Sequence, residues 1–253
     1  MKIAVLVKQV VGSESALEIS QDQRWIDESS ATFIMNPPDN YAIEEAMLIK
    51  EKLGLGEVVI VSMGPQRVQK VIREWLSKGA DRGIHIETQD LKEIDPLYIS
   101  KAFAETLRDE NFDLILSGLQ SDDNGMGQTG ALLGELLNMS TATLVIETDI
   151  NQNKIRVKRE LESGWFQWVE LASPCSISIQ SGINQPRYPS LKGIMGAKKK
   201  EIKVILAPQV EKKQSVSEIF VPKKSKETEF IETDIDSTVE RIVDILKTEV
   251  KVF

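Results

Sequence analysis

Apolar residues in the first half of the chain fall into short unbroken runs, separated by stretches in which they recur every three or four positions. Residues 3–7, 58–62, 83–86 and 112–117 are runs of the first kind and read as strands buried on both faces. Residues 41–53, 68–78 and 98–108 carry the helical period. The helix at 41 has a marked start: Asn36 suits the cap, Pro37 the first turn, and Asp39 follows three residues after the cap. Ile43, Ala46, Met47 and Leu53 then follow at helical spacing, with Lys50 along the rim, and Gly54 ends the run. Strand–helix alternation of this kind predicts an α/β fold, a Rossmann-like parallel sheet with helices on both faces.

Past residue 140 the pattern changes. Residues 143–147, 155–159, 165–171 and 175–180 read as strands, and Asn151-Gln152-Asn153-Lys154 as a hairpin turn, so an added β-hairpin region is expected. Trp165 and Trp168 fall on opposite faces of a strict alternation; one is expected in the core and the other exposed. Residues 187–195 hold Pro189 and Gly193, just after Pro186, and predict irregular structure. Residues 202–206 suit a strand, whereas 211–229 are polar, contain Pro222 and cannot form a core alone. Val239, Ile242, Val243 and Leu246 mark an amphipathic helix that needs a surface to dock on. The expected division is a 1–205 nucleotide-binding domain and a 206–253 C-terminal arm.

Between the strand at 112–117 and a helix at 131–137 lies Gly-Leu-Gln-Ser-Asp-Asp-Asn-Gly-Met-Gly-Gln-Thr-Gly, residues 118–130. A small-residue loop entering a helix N-terminus suits phosphate, because free N–H groups and the helix dipole favour an anion there. An ordinary tight turn is the other reading, since neither GxGxxG nor a Walker motif is present. Asp122 and Asp123 suit either a metal ion or a solvated helix start.

Composition narrows the field. A formal charge of −8 argues against nucleic acid or an anionic membrane surface as partner, and Lys198-Lys199-Lys200 is a local exception. Cys175, the sole cysteine, sits in an apolar run and reads as an inert buried thiol. His85 is the only histidine, so histidine-rich metal sites are excluded, and no GxSxG elbow accompanies it. The first residues are strand-like and too short for a signal segment, and no apolar run reaches a membrane span. A cytoplasmic protein without membrane insertion is expected.

Four segments together resemble the beta subunit of electron transfer flavoprotein. They are Asn36-Pro37-Pro38-Asp39-Asn40-Tyr41-Ala42-Ile43-Glu44-Glu45-Ala46, Gly79-Ala80-Asp81-Arg82-Gly83-Ile84-His85, the 118–130 loop, and Asn184-Gln185-Pro186-Arg187-Tyr188-Pro189-Ser190-Leu191-Lys192-Gly193-Ile194-Met195 with Ala197-Lys198-Lys199-Lys200. The resemblance runs from residue 1 to about residue 205, and the last segment is its most specific part.

That resemblance implies a fold of the adenine-nucleotide-binding, universal-stress-like type. It implies a heterodimer with a larger alpha subunit that holds the redox FAD. This carrier, without catalysis of its own, takes electrons from flavin dehydrogenases such as acyl-CoA dehydrogenases of fatty acid oxidation. It hands them to a membrane quinone oxidoreductase. By matching positions a structural AMP would lie against Leu6, Asn36, Pro37, Pro38, Asp39, Met63 and the run Ser121, Asp122, Asp123, Asn124, Gly125, Met126, Gly127, Gln128, Thr129, Gly130, Ala131 and Leu132. Leu191 would anchor a dehydrogenase-docking loop shared with Arg187, Tyr188, Ile194 and Met195. In electron-bifurcating relatives FAD takes the AMP site, and that alternative stays open. Ordinary members often carry an aromatic residue where this chain has Pro38, and near Ser13. The Gly-Ile-His and Pro-Arg-Tyr segments favour the non-bifurcating group and AMP. A nucleotide-sensing or nucleotide-hydrolysing protein of the universal-stress type is the reading from another class.

Overall fold

The computed structural model describes residues 1–89, 95–151, 154–222, 228 and 230–252. The chain forms two compact units, Met1–Ile219 and Phe220–Phe253. The first begins with β1 (Lys2–Leu6), β2 (Gln9–Val11), β3 (Phe33–Met35) and α1 (Pro37–Leu53). Next come β4 (Glu57–Gly64), α2 (Gln69–Lys78), β5 (Arg82–Glu87), α3 (Pro96–Leu107), β6 (Leu114–Gly118) and α4 (Thr129–Leu136). β7 (Ser140–Asn151), β8 (Lys154–Glu160), β9 (Phe166–Leu171), β10 (Cys175–Ile179), α5 (Leu191–Ala197) and β11 (Ile202–Leu206) complete it.

One nine-stranded sheet runs β11-β5-β4-β1-β6-β10-β7-β8-β9. Pairing is parallel from β11 through β7, and antiparallel only where β7, β8 and β9 extend the edge. The expected α/β architecture with an added hairpin region is therefore the one observed. Strand side chains alternate between two cores. Ile3 and Val5 of β1 face α1 and α2, with Ile43, Met47, Ile72 and Trp75. Ala4 and Leu6 face α3 and α4, with Phe103, Leu107 and Leu133. β6 and β10 are buried along their whole length; β6 opens on the apolar run Leu114-Ile115-Leu116, whereas β10 alternates apolar residues with the buried Ser176 and Ser178. β1 lies between β4, which follows it through α1, and β6, which comes later on the other side. The chain thus changes direction at β1, and a crevice opens outside the carboxyl ends of β1 and β6.

α1 starts at Pro37, in the first-turn position expected for it. Several other expectations need correction. Asn36 occupies its N-cap position without a side-chain cap bond. The 187–195 segment is not irregular throughout, because Ser190 caps α5 by accepting the Gly193 N–H at 3.0 Å. Neither tryptophan enters the core: Trp165 is 73% exposed and Trp168 38%. In the basic run Lys198-Lys199-Lys200, Lys200 turns inward: its Nζ donates to the Leu76 and Ala80 carbonyls, and burial lowers its pKa. The turn expected at 151–154 includes residues 152 and 153, outside the described set, although Asn151 and Lys154 pair across β7 and β8. Part of the polar 211–229 stretch also lies outside it, and residues 207–222 form no helix or strand.

Cys175 is buried, and desolvation pushes its thiol up to about 12. His85 is a satisfied core histidine. Its Nε2 donates to the Gly64 carbonyl at 2.8 Å, and Nδ1 accepts from Gln69 Nε2 at 3.1 Å. Among the described residues no helix is long and apolar enough to cross a membrane.

The second unit contains α6 (Ile235–Asp244), continued by a π-helical turn at Ile245–Glu249. Asp234 caps it, accepting the Ser237 N–H at 3.1 Å. Ile235, Val239 and Ile242 are exposed.

Candidate functional site

The crevice at the head of β1 and β6 is a cleft whose floor is the 118–130 loop. Leu6 and Lys8 line it from the end of β1, Gln9 from β2, Met63 from β4, and Pro96, Ile99 and Phe103 from α3. The far wall comes from β3 and the segments beside it. Arg67 lies 3.9 Å over the Phe33 ring, and its Nη2 reaches Glu28 at 3.3 Å. Glu28 also accepts the Trp25 indole N–H at 3.0 Å.

Buried polar side chains hold the loop in place. Asn36 Nδ2 donates to the Gln120 carbonyl at 2.9 Å, and Asn36 Oδ1 accepts the Asp122 N–H at 3.0 Å. Asp39 accepts the Lys8 N–H at 2.7 Å and Asn36 Nδ2 at 3.0 Å, and it also accepts the Gly118 N–H. Burial pushes the Asp39 carboxyl up to about 7, against these donors, which pull it down. Lys8 Nζ donates to Asp123 at 2.6 Å and Ser121 Oγ at 3.3 Å. So Asp123 pairs with β1's exit instead of starting a helix; both acids precede α4 by several residues. Among the described residues no group of three or more His, Cys, Asp or Glu side chains converges to hold a metal ion.

Glycine is required at particular points here. A Cβ on Gly118 would meet Asp39 Oδ1, the Pro38 carbonyl carbon at 2.8 Å and Asp39 N at 2.9 Å. A Cβ on Gly130 would meet Ser117 Oγ at 2.6 Å. Gly125 and Gly127 both adopt φ of +62°, which L side chains avoid. The loop feeds α4, whose first intrahelical donor is Leu132 N–H, to the Gln128 carbonyl at 3.0 Å. The N–H groups of residues 129–131 therefore precede the ladder and are oriented for an anion.

Of the residues expected at a nucleotide, Leu6, Asn36, Asp39, Met63, Ser121, Asp123, Asn124, Met126, Gly127, Gln128, Thr129 and Gly130 line the cleft. Pro37, Pro38, Asp122, Gly125, Ala131 and Leu132 shape its frame without lining it. The wall of Trp25, Glu28, Phe33 and Arg67 carries no sequence signal, since Arg67 comes from a distant segment and reaches Glu28 and Phe33 only in the fold. Two buried polar atoms beside the cleft, Gln9 Oε1 and Arg67 Nε, have no hydrogen-bond partner. Cradling glycines, helix-start N–H groups and orphaned polar atoms fit a phosphorylated, polar ligand such as a nucleotide.

The expected docking residues divide into two sets. Tyr188, Leu191, Ile194 and Met195 are exposed, Tyr188 at 91% and Leu191 at 83%. Arg187 turns inward instead. Its guanidinium donates to Glu44 at 2.8 to 3.0 Å and to Glu51 at 2.6 and 3.1 Å.

The fold and cleft define a doubly wound α/β protein with a binding crevice at the switch point of its sheet. The electron transfer flavoprotein domain model matches residues 24–210. The chain is 35% identical to electron transfer flavoprotein subunit beta of Methylophilus methylotrophus, over 97% of this chain and 98% of that one. It is 33% identical to the Bacillus subtilis subunit beta over the full length of both, and 33% identical to the human one over 81% of each. The chain belongs to the electron transfer flavoprotein family, among its beta subunits.

Proposed function

We propose that this chain is the beta subunit of a heterodimeric electron carrier and holds AMP in the cleft, while the alpha subunit holds most of the redox FAD. The observation that carries the reading is the loop at residues 118–130. It is fixed at the switch point by Asn36 and Asp39 and presents the start of α4 to the cleft. Residues 129–131 would hold the phosphate through backbone N–H groups, and the orphaned Gln9 Oε1 would take a polar group of the nucleoside. AMP has no part in electron transfer here; the chain's own residues bind it and close the crevice. FAD in the alpha subunit supplies the redox chemistry. Electrons would arrive from flavin dehydrogenases docked at α5 and leave toward a membrane quinone oxidoreductase.

The test is to denature the purified heterodimer and identify its nucleotides by chromatography. One AMP and one FAD per heterodimer are expected; two FAD and no AMP would overturn the reading. The unit Phe220–Phe253, with its exposed apolar face on α6, would pack on the alpha subunit. A chain ending at Ile219 should then fold but fail to co-purify with alpha, and a wild-type yield of heterodimer would count against this.

A further inference from the structure

α5 is a short helix with an exposed apolar face, and it is braced at both ends. Behind it, Arg73 Nη1 donates to the Ala197 carbonyl at 2.7 Å and the Lys200 carbonyl at 2.5 Å. In front, the Arg187 guanidinium forks across Glu44 and Glu51 of α1, and the Arg187 N–H donates to Glu44 at 3.0 Å. The Glu44 side chain is only 4% exposed, so this clamp reaches into the body of the domain. The hydrogen bonds that Arg187 donates to Glu51 and Glu44 raise its pKa, and they lower that of Glu51. Two N–H forks on two carboxylates fix both the position and the plane of the guanidinium. Lysine, a point charge, would fix neither.

We infer that Arg187 is a positioning residue for dehydrogenase docking: it sets the bearing of Tyr188, Leu191 and Met195 on α1 and does not itself touch the dehydrogenase. The inference rests on the reading of α5 as the docking surface. It departs from that reading in one respect, because a cation in a docking segment would ordinarily be assigned to an acidic partner. Here both forks of the guanidinium are already engaged within the chain. A pre-set apolar face binds more tightly because its ordering is complete before contact.

The heterodimer serves as electron acceptor for an acyl-CoA dehydrogenase, and KM and kcat are measured for wild type, Arg187→Ala, Arg187→Lys, Leu191→Ala and the double variant Arg187→Ala/Leu191→Ala. Arg187→Ala should raise KM for the carrier about tenfold, leaving kcat, FAD content and reduction by dithionite unchanged. Arg187→Lys should recover only part of the loss. The deciding quantity is the coupling. If Arg187 acts by placing Leu191 together with Tyr188 and Met195, the loss in the double variant should fall well short of the product of the two single losses. Effects that multiply, or an Arg187→Ala protein with wild-type KM beside an impaired Leu191→Ala, would overturn the inference and leave the docking surface standing. An unimpaired Leu191→Ala would overturn both. Should Arg187→Ala fold poorly, Glu51→Gln removes one fork from the exposed side and should raise KM in the same direction.

Discussion

The cleft and α5, the surfaces proposed for a nucleotide and for a dehydrogenase, are built in opposite ways. In the cleft the groups offered to a ligand are backbone N–H groups, and side chains stand behind them. Asn36 and Asp39, both almost fully buried, hold the loop against the ends of β1 and β6. At α5 the groups offered are side chains, Leu191 and Met195 among them, and the ion pairs holding the helix lie beneath its edge. A backbone surface cannot be altered without disturbing the fold that shapes it. A side-chain surface can be trimmed while its support stays. Substitutions in the cleft should strike stability and binding together, and those at α5 should separate them. α1 serves both regions, with Asn36 and Asp39 at its start and Glu44 and Glu51 further along.

The sharpest test of the contrast is Gly118→Ala beside Leu191→Ala. The new methyl at 118 meets the backbone of Pro38 and Asp39, which cannot move aside as a flexible side chain would. Overpacking of this kind costs about 3 kcal/mol, or roughly 10 °C in Tm for a domain of this size. Nucleotide retention should fall with it. Leu191→Ala should leave Tm and nucleotide content at wild-type values. As the centre of a docking surface it should cost on the order of 2 kcal/mol, about 30-fold in KM for the dehydrogenase. Thermal melts and nucleotide release on both variants decide the matter. A stable Gly118→Ala that keeps its nucleotide, or a Leu191→Ala that melts early, breaks the comparison.

The two regions also differ in how much of them the sequence discloses. The parallel strands were legible because burial on both faces leaves unbroken apolar runs such as Leu114-Ile115-Leu116. The floor of the cleft was legible because close approach and positive φ demand glycine, and Gly118, Gly125, Gly127 and Gly130 crowd into one loop. Its far wall was not, since Arg67 meets Phe33 and Glu28 only through tertiary packing. α5 was misread as irregular for a related reason. Gly193 signals a breaker in isolation, yet a Cβ there would collide with the Ser77 carbonyl of α2, so this glycine serves helix packing. The inward turn of Arg187 was equally hidden, because Glu44 and Glu51 lie more than a hundred residues earlier in the chain.

The smallest expected effect concerns pH. Asp39 in the cleft has its carboxyl pushed up to about 7 by burial, whereas an unfolded aspartate titrates at about 4. Between those values the folded chain holds a proton that the unfolded chain releases. Stability contributed by this group is therefore present at the acid end of the window and is lost as pH rises through it. From pH 5.5 to 6.5 the loss is at most about 1.4 kcal/mol, or roughly 3 °C in Tm. The brace at α5 should not respond, because Arg187 is shifted up and Glu51 down, and both stay charged across the interval. Melts of the heterodimer should thus slope with pH while KM for the dehydrogenase stays level. Asp39→Asn should lower Tm at every pH, since its amide NH2 must then face a donor, either the Lys8 N–H on one side or the Gly118 and Asn36 donors on the other, and it should flatten the slope. If the slope survives in Asp39→Asn, other groups cause it, and the cleft is no more sensitive to protons than the docking helix.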